Sequence, residues 1–219
     1  MRRLFTLLCA LAAGGPGCGE QLSIPVPQPV PLKVRQSTPG KDRHETVVAG
    51  LPQAVAGKGR VRLRDARSGL EVVVPSTAQG TFVGTLAVGA EADLYGRFET
   101  DQGQSAEVSL TLRALGLPPQ LTRTRGEAGL VSAPDAKGLV TVSNDAGPGQ
   151  PLLVAATPDS EVIVSHAGLG TVVTTRTDKE GRFRAQLAAA AGDTIQLFLA
   201  SVDDRGLTSD FLIATVPAP

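Results

Sequence analysis

The chain lacks several features that would point to particular classes of protein. It has 219 residues but no Trp, and aromatic residues make up only 3% of it, so its cores must be built from aliphatic side chains and a few Phe. Both cysteines, Cys9 and Cys18, lie in the first 20 residues, so the body of the chain holds no disulfide framework and no Cys-based metal site. The 21 basic residues balance the 21 acidic ones, which leaves no strong positive field for a nucleic acid. No nucleic-acid partner is therefore expected.

The N-terminal segment has the pattern of a secretory signal. Arg2 and Arg3 precede an apolar run from Leu4 to Ala13, which is too short to span a bilayer as a stable helix. Two cleavage sites fit this segment. Cleavage after the small residues near positions 10–12 would leave a free thiol close to the new N-terminus, and cleavage just before Cys18 would make that cysteine the first residue.

The sequence GGPGC at positions 14–18 resembles the bacterial lipobox, although Gly15 stands where leucine is usual. This resemblance implies a signal peptide over 1–17 and a lipid on Cys18, which would make the membrane a partner of the mature N-terminus. A glycine after the cysteine, here Gly19, does not suggest retention at the inner membrane, so the resemblance implies the outer membrane. The alternative location is periplasmic or secreted and soluble.

The segment 18–40 is predicted to be a tether. Prolines at 25, 27, 29 and 31 alternate with other residues, and proline favours extended backbone both at its own position and before it. Such a stretch would be polyproline-like and would hold a folded domain away from a membrane. The alternative is that 24–34 forms part of an edge strand of the first domain.

The remainder of the chain repeats itself with a period of about 100 residues, as tandem domains do. Several residues match between the two halves: Gly80 with Gly181, Phe82 with Phe183, Leu86 with Leu187, Leu94 with Leu197, Tyr95 with Phe198, Asp101 with Asp204, and Gly103 with Gly206. The later matches require the offset to grow by two residues. Rings that recur at equivalent positions are interpreted as core, which leaves few aromatics for stacking on sugars.

Short alternating segments predict antiparallel strands. In GRVRLRD (59–65), Val61 and Leu63 alternate with arginines, and turn residues recur every 8 to 12 positions or so. The predicted fold class is all-β, with two tandem antiparallel β-sandwich domains. We expect the first sandwich over 41–115, a linker over 116–133 and the second sandwich over 134–219.

Each half resembles the bacterial Ig-like domains of repeated surface and envelope proteins. The residues that carry this resemblance are VVAGLPQAVAGKGRVRLRD at 47–65 in the first half and EGRF with AAGDTIQLFLASVDDRGLTS, within 180–209, in the second. The resemblance implies an Ig-like sandwich without the antibody-type disulfide.

The segment TDKEGRF (177–183) raises the question of a calcium site. With Gly181 at position 6 of an EF-hand-like loop, only Asp178 and Glu180 supply carboxylates, and position 12 would be Leu187. The matching segment STAQGTF in the first half has no carboxylate at all. We therefore predict a hairpin turn whose glycine supplies positive φ, with no metal, and we interpret 203–206 likewise as a turn.

No catalytic residue and no cofactor is predicted. The two histidines, His44 and His166, fall in different halves and are interpreted as solvated, and no nucleophile or phosphate-binding motif occurs. A Ser–His–Asp triad stays open because triads are recognised in space. Arg60, Arg62 and Arg64 form a basic row on one strand face, which is either a contact for an anionic ligand or a solvated face of the sheet.

Three functions remain open at this stage. The first is a non-enzymatic, lipid-anchored envelope protein that serves as a spacer or as a module for binding an envelope protein. The second is an adhesin or glycan-binding module that uses the arginine row. The third is an envelope hydrolase whose site the sequence does not reveal.

Overall fold

The computed structural model describes residues 25–37, 45–89, 92–110, 118–123, 129–202 and 207–219. Every strand pair in these segments is antiparallel, and the only helical elements within them are two three-residue 3-10 turns, Pro31–Lys33 and Ala167–Leu169. The predicted all-β class is confirmed. Cys18 and His44 lie outside the described residues, as do positions 203–206.

The first half folds as one sheet that closes over its own core. Its strands are β1 (Val34–Ser37), β2 (Thr46–Gly50), β3 (Gly59–Asp65), β4 (Glu71–Ser76), β5 (Phe82–Leu86), β6 (Leu94–Thr100), β7 (Gly103–Gln104) and β8 (Val108–Ser109). The strand order is β1-β2-β5-β4-β3-β6-β7, and β8 also pairs with β6. A single residue pair, Ser76 with Phe82, joins β4 to β5, so the sheet splits there into two layers.

Both layers contribute to one apolar core. Val48 and Phe82 from the first layer pack with Val61, Leu63 and other buried residues from the second. The alternation within β3 explains this, since Val61 and Leu63 are completely buried while the arginines that alternate with them point to the other face.

The second half has the same strand order in separate sheets. Its strands are β9 (Leu121–Arg123), β10 (Leu139–Ser143), β11 (Val154–Ala156), β12 (Glu161–His166), β13 (Thr171–Arg176), β14 (Arg184–Ala188), β15 (Thr194–Ala200) and β16 (Leu212–Thr215). One layer pairs β10 with β14, and Val131 forms a bridge to Val142 of β10. The other layer has the order β13-β12-β15-β16, and β9 pairs with β11 at the side. With the segment at Val131 counted as a strand, one layer has three strands and the other has four, which is the division found in an Ig-like sandwich.

The turn before β5 and the turn before β14 confirm the predicted match of Gly80 with Gly181. Their φ angles are 75° and 76°. A Cβ atom on Gly80 would lie 2.1 Å from the carbonyl oxygen of Val55, and one on Gly181 would lie 2.3 Å from that of Ala156. Both glycines and both carbonyls are separated by the same 101 residues, so the two bends are built in the same way.

The sequence analysis predicts that the offset between matching residues of the two halves grows by two in the later strands, and this prediction is wrong. Val61 pairs with Phe98, and Val162 pairs with Leu199, so the offset is still 101 residues at this point. Tyr95 therefore corresponds to Gln196 rather than to Phe198. The error has a simple physical origin: a pattern with a period of two residues fits offsets of 101 and 103 equally well.

The predicted tether (18–40) and the predicted linker (116–133) both contain residues that belong to the folded domains, and the prediction is corrected for those residues. Val34–Ser37, inside the predicted tether, forms edge strand β1 and pairs with β2. Val34 is buried in the first core, and Arg35 and Ser37 bond residues of the second domain. The predicted linker contains β9, and Leu130 and Val131 are buried in the second core.

The two halves share a third apolar cluster. Val47, Ala49 and Val83 from the outer face of β2 and β5 pack with Ile163 and Phe198 from the outer face of β12 and β15, among others. Phe198 is completely buried. Because each of these strands also contributes its opposite face to its own domain core, the four layers are stacked face to face.

Polar contacts also cross this interface. The Arg35 side chain is 4% exposed, and its Nε donates to Glu161 Oε2 at 2.9 Å. Ser37 Oγ donates to the carbonyl of Ser209 at 2.7 Å, and Thr81 Oγ1 donates to the carbonyl of Gly170 at 2.9 Å. The edge strand β1 therefore connects the first domain to the second.

Candidate functional site

The predicted arginine row lies on the outer face of β3, where it is paired with carboxylates. Arg62 Nε donates to Glu99 at 2.7 Å, and Arg62 also bonds Glu71. Arg64 makes a two-point contact with Glu107 at 2.7 and 3.0 Å, while Arg60 lies 3.9 Å from Glu99. We call this set of arginines and glutamates the charge ladder.

The electrostatics of the charge ladder follow from these pairs. The hydrogen bond from Arg62 lowers the pKa of Glu99, and the hydrogen bond from Arg64 lowers the pKa of Glu107. The bond to Glu99 contributes most to raising the pKa of Arg62. These guanidinium groups are already engaged, so an incoming anion would have to compete with carboxylates held in place by the sheet.

Tyr95 belongs to this charged face and not to the core. The Arg64 guanidinium carbon lies 5.6 Å from the centre of its ring. The sequence-based interpretation of Tyr95 as core is therefore wrong, whereas Phe82 and Phe183 are core residues with exposed fractions of 0% and 4%. The misassigned partner, Phe198, fills the interface between the domains.

The segment around Asp178 is a turn, as predicted, although it connects two sheets and not neighbours within one sheet. Asp178 Oδ1 accepts the backbone N–H groups of Glu180 and Arg182 at 3.0 and 2.7 Å. Gly181 N–H donates to the Asp178 carbonyl at 3.0 Å. This carboxylate therefore has a structural role in the bend. Within the described segments, no three His, Cys, Asp or Glu side chains are grouped so as to hold a metal ion.

His166 is buried and paired, which corrects its interpretation as a solvated residue. Its Nδ1 accepts the backbone N–H of Leu169 at 3.2 Å, so the proton of the neutral ring is on Nε2, which lies 2.8 Å from Asp193 Oδ2. The hydrogen bond from His166 lowers the pKa of Asp193. Because both ring nitrogens have partners, this pair has no nitrogen left to accept a proton from a nucleophile.

Sequence reasoning missed a cleft in the second domain. Its volume is about 630 Å³, and it lies where the end of β13, the segment after β10 and the turn at 178–182 meet. The lining residues are Ser143, Asp145, Gly147, Arg176, Asp178, Arg182, Phe183 and Arg184. The available signal was the group of three arginines around TDKEGRFR, which the first half does not repeat.

Comparisons with known proteins do not assign a family. No protein-family model matches the chain, and no curated protein matches it. Solved structures with similarity include a biofilm-associated protein domain (15% identity, TM-score 0.28), a two-domain fibronectin type III segment of chicken tenascin (14%, 0.26) and a 1.5-MDa bacterial ice-binding adhesin (15%, 0.30). The three matches cover 85%, 88% and 84% of this chain, in that order. They cover 29%, 100% and 64% of the matched chains. The superpositions are loose, so the fold assignment rests on strand order and register.

Along the part of the chain that the structure describes, no helix is both long enough and apolar enough to cross a membrane.

Proposed function

We propose that the protein is a non-enzymatic, lipid-anchored component of the bacterial cell envelope, and that its two Ig-like domains act together as one rigid spacer or interaction module. The observation that carries this proposal is the apolar cluster between the domains. Phe198 is completely buried there against strands of the other domain. A module that transmits a fixed geometry needs an interface of this kind, because domains with small polar contacts move relative to one another.

The faces at the two ends of the stack support the same proposal. The outer face of the first domain carries the charge ladder, and the outer face of β10 and β14 in the second domain is polar, with exposed Arg184 and Gln186. Apolar side chains are concentrated on the two faces that meet. Such a stack is capped at both ends in the way that terminal repeats of a solenoid are capped.

Rigidity can be measured directly with spin labels at Leu70 and Gln186, which are exposed and lie in different domains. In a Cys18→Ala background, Leu70→Cys and Gln186→Cys should give a narrow distribution of inter-label distances. Adding Phe198→Ala should broaden it. A broad distribution in the parent protein would contradict the rigid module.

The anchor is tested by metabolic labelling with a fatty-acid analogue, followed by membrane fractionation. We expect labelled protein in the outer-membrane fraction and loss of the label in Cys18→Ala. Unlabelled protein recovered from the periplasm or the medium would favour the soluble alternative. This experiment tests only the lipid anchor, and the rigidity of the module is tested by the distance measurement.

A recognition function is the second candidate, and the cleft with three arginines favours it. A hydrolase is less well supported, because both nitrogens of His166 have structural partners. Labelling by an active-site hydrolase probe, lost on substitution of one residue, would overturn the non-enzymatic proposal.

A further inference from the structure

The cleft in the second domain combines three arginines. Arg176, Arg182 and Arg184 are all exposed, and among the described residues none of them pairs with a carboxylate. The arginines of the charge ladder differ in this respect, since each lies within 4 Å of a glutamate. A guanidinium group offers several fixed donors that match a carboxylate at two points. The cleft therefore holds unused donors for an anion.

Two aspartates in the same cleft offer acceptors. Asp145 Oδ1 accepts the N–H of Gly147 at 2.9 Å, and Asp178 Oδ1 accepts two N–H groups of its own turn. These bonds fix both carboxylates, and the described hydrogen bonds leave each Oδ2 atom available. The cleft thus places fixed acceptors beside the donors.

Comparison with the same turn in the first domain shows which charged residues of the cleft the fold itself requires. At an offset of 101 residues, Arg176, Asp178, Arg182 and Arg184 correspond to Pro75, Thr77, Thr81 and Val83. Thr77 and Thr81 form the same turn with the same backbone bonds. The turn folds without arginine, so the bend does not require the three arginines of the second copy. Asp178, in contrast, accepts the N–H of Arg182 as Thr77 accepts that of Thr81.

The location of the cleft also supports a binding role for its arginines. The corresponding surface of the first domain is covered, since Thr81 bonds Gly170 and Val83 lies in the cluster between the domains. In the second domain this surface is the free end of the stack, and it carries arginines where the first domain carries Pro75, Thr81 and Val83.

We propose that this cleft binds a carboxylate-bearing sugar of an acidic glycan. The arginines bind the uronate carboxylate, and the Oδ2 atoms of Asp145 and Asp178 accept hydrogen bonds from sugar hydroxyls. Three arginines and two aspartates leave one net positive charge, which suits one carboxylate per sugar. A densely charged phosphate polymer would be repelled by the aspartates, and glutamate side chains supply no hydroxyl donors for them. This inference goes beyond the proposed function and does not depend on the anchor.

The test is isothermal titration calorimetry of the full mature chain with tetragalacturonate at about 0.15 M ionic strength, where the Debye length is about 8 Å. We expect measurable binding that is lost with the methyl-esterified tetramer. Arg182→Ala and Arg184→Ala should each weaken binding about 10-fold or more, because each removes a charge-assisted hydrogen bond. Lys179→Ala, in the same turn but outside the lining of the cleft, is the matched control and should change the affinity less than about 2-fold.

The aspartates distinguish a sugar from a peptide. Asp145→Asn retains the Oδ1 acceptor of its turn, so it should fold normally and still weaken the binding of tetragalacturonate about 10-fold or more, because a hydrogen bond to a charged acceptor is lost. Tetraglutamate should bind less tightly than tetragalacturonate. The proposal is overturned if the wild type does not bind tetragalacturonate, if the arginine variants with unchanged melting temperature bind as the wild type does, or if tetraglutamate binds more tightly.

Discussion

The two domains share a strand order and a turn geometry, yet their outer faces are inverted. In the first domain the face of β2 and β5 is apolar and the face of β3 and β6 is charged. In the second domain the face of β12 and β15 is apolar, and that of β10 and β14 is polar. The repeated residues thus build each sandwich, and the unrepeated ones decide which faces meet and which remain in water.

A second difference lies in the turn between β3 and β4 and in its counterpart between β12 and β13. Asp65 Oδ2 accepts the N–H of Ser68 at 2.9 Å, and at the corresponding position His166 Nδ1 accepts the N–H of Leu169 at 3.2 Å. Gly69 and Gly170 complete both turns with φ angles of 72° and 63°. One backbone requirement is met by a carboxylate in one copy and by an imidazole in the other, which shows that the turn requires an acceptor and not one particular side chain.

The largest expected change in stability comes from removing Phe198, which lies on the apolar outer face of the second domain. Phe198→Ala should lower the free energy of unfolding by about 3 to 5 kcal/mol, because a completely buried ring is removed. Tyr95→Ala, on the exposed face of the first domain, is the comparison and should cost about 1 kcal/mol or less. Urea unfolding followed by circular dichroism measures both. Equal losses would mean that the two outer faces do not differ as described.

Part of this difference between the outer faces can be predicted from the sequence. The alternation in β3 predicts one buried face, and β3 does have one. In contrast, β15 (TIQLFLA) and β2 (TVVAG) have apolar residues at successive positions, which is the pattern of strands covered on both sides. That pattern predicts a buried outer face but not what covers it. The pairing of Arg64 with Glu107 was beyond prediction, because it depends on which strands become neighbours.

The next largest effect concerns the shared bend. Gly80→Ala and Gly181→Ala should each cost about 2 to 4 kcal/mol, because the new Cβ atom requires unfavourable positive φ and meets a backbone carbonyl. Gly138→Ala is the control: its φ is 73°, but no atom lies within 4 Å of the added Cβ, so it should cost only about 1 kcal/mol. Thermal unfolding gives all three values. A loss at Gly181 no larger than that at Gly138 would show that the packed carbonyl is unimportant.

The turn capped by Asp65 predicts a dependence on pH. Burial would raise the pKa of Asp65, but hydrogen bonds from the Ser68 side chain and from the N–H groups of Ser68, Asp93 and Arg67 outweigh it and lower the pKa to about 2. The folded pKa is below the ordinary value of 3.8, so this stabilisation is present above about pH 4 and is lost as the pH falls through about 2.

Asp65→Asn should therefore destabilise the protein by about 2 kcal/mol at pH 7 and by much less at pH 2. Ser68→Ala retains the carboxylate, removes one donor and should give a smaller loss with the same sign. Urea midpoints measured from pH 7 to pH 2 test this. A penalty for Asp65→Asn that stays constant over that range would show that ionised Asp65 is not what stabilises the turn.

The smallest expected effect compares an ion pair at the domain interface with one in the charge ladder. Arg35 is 4% exposed and Glu161 is 22% exposed, whereas Arg64 and Glu107 are both 35% exposed. Glu161→Gln leaves a buried guanidinium without its counter-charge and should cost about 1 to 2 kcal/mol, even in 0.5 M NaCl. Glu107→Gln should cost under about 1 kcal/mol at low salt, and most of that loss should disappear at 0.5 M, because solvent and salt screen an exposed pair. If both losses respond equally to salt, Arg35 is more hydrated than its buried position implies, and β1 contributes to the interface through its backbone and the Ser37 hydroxyl group instead.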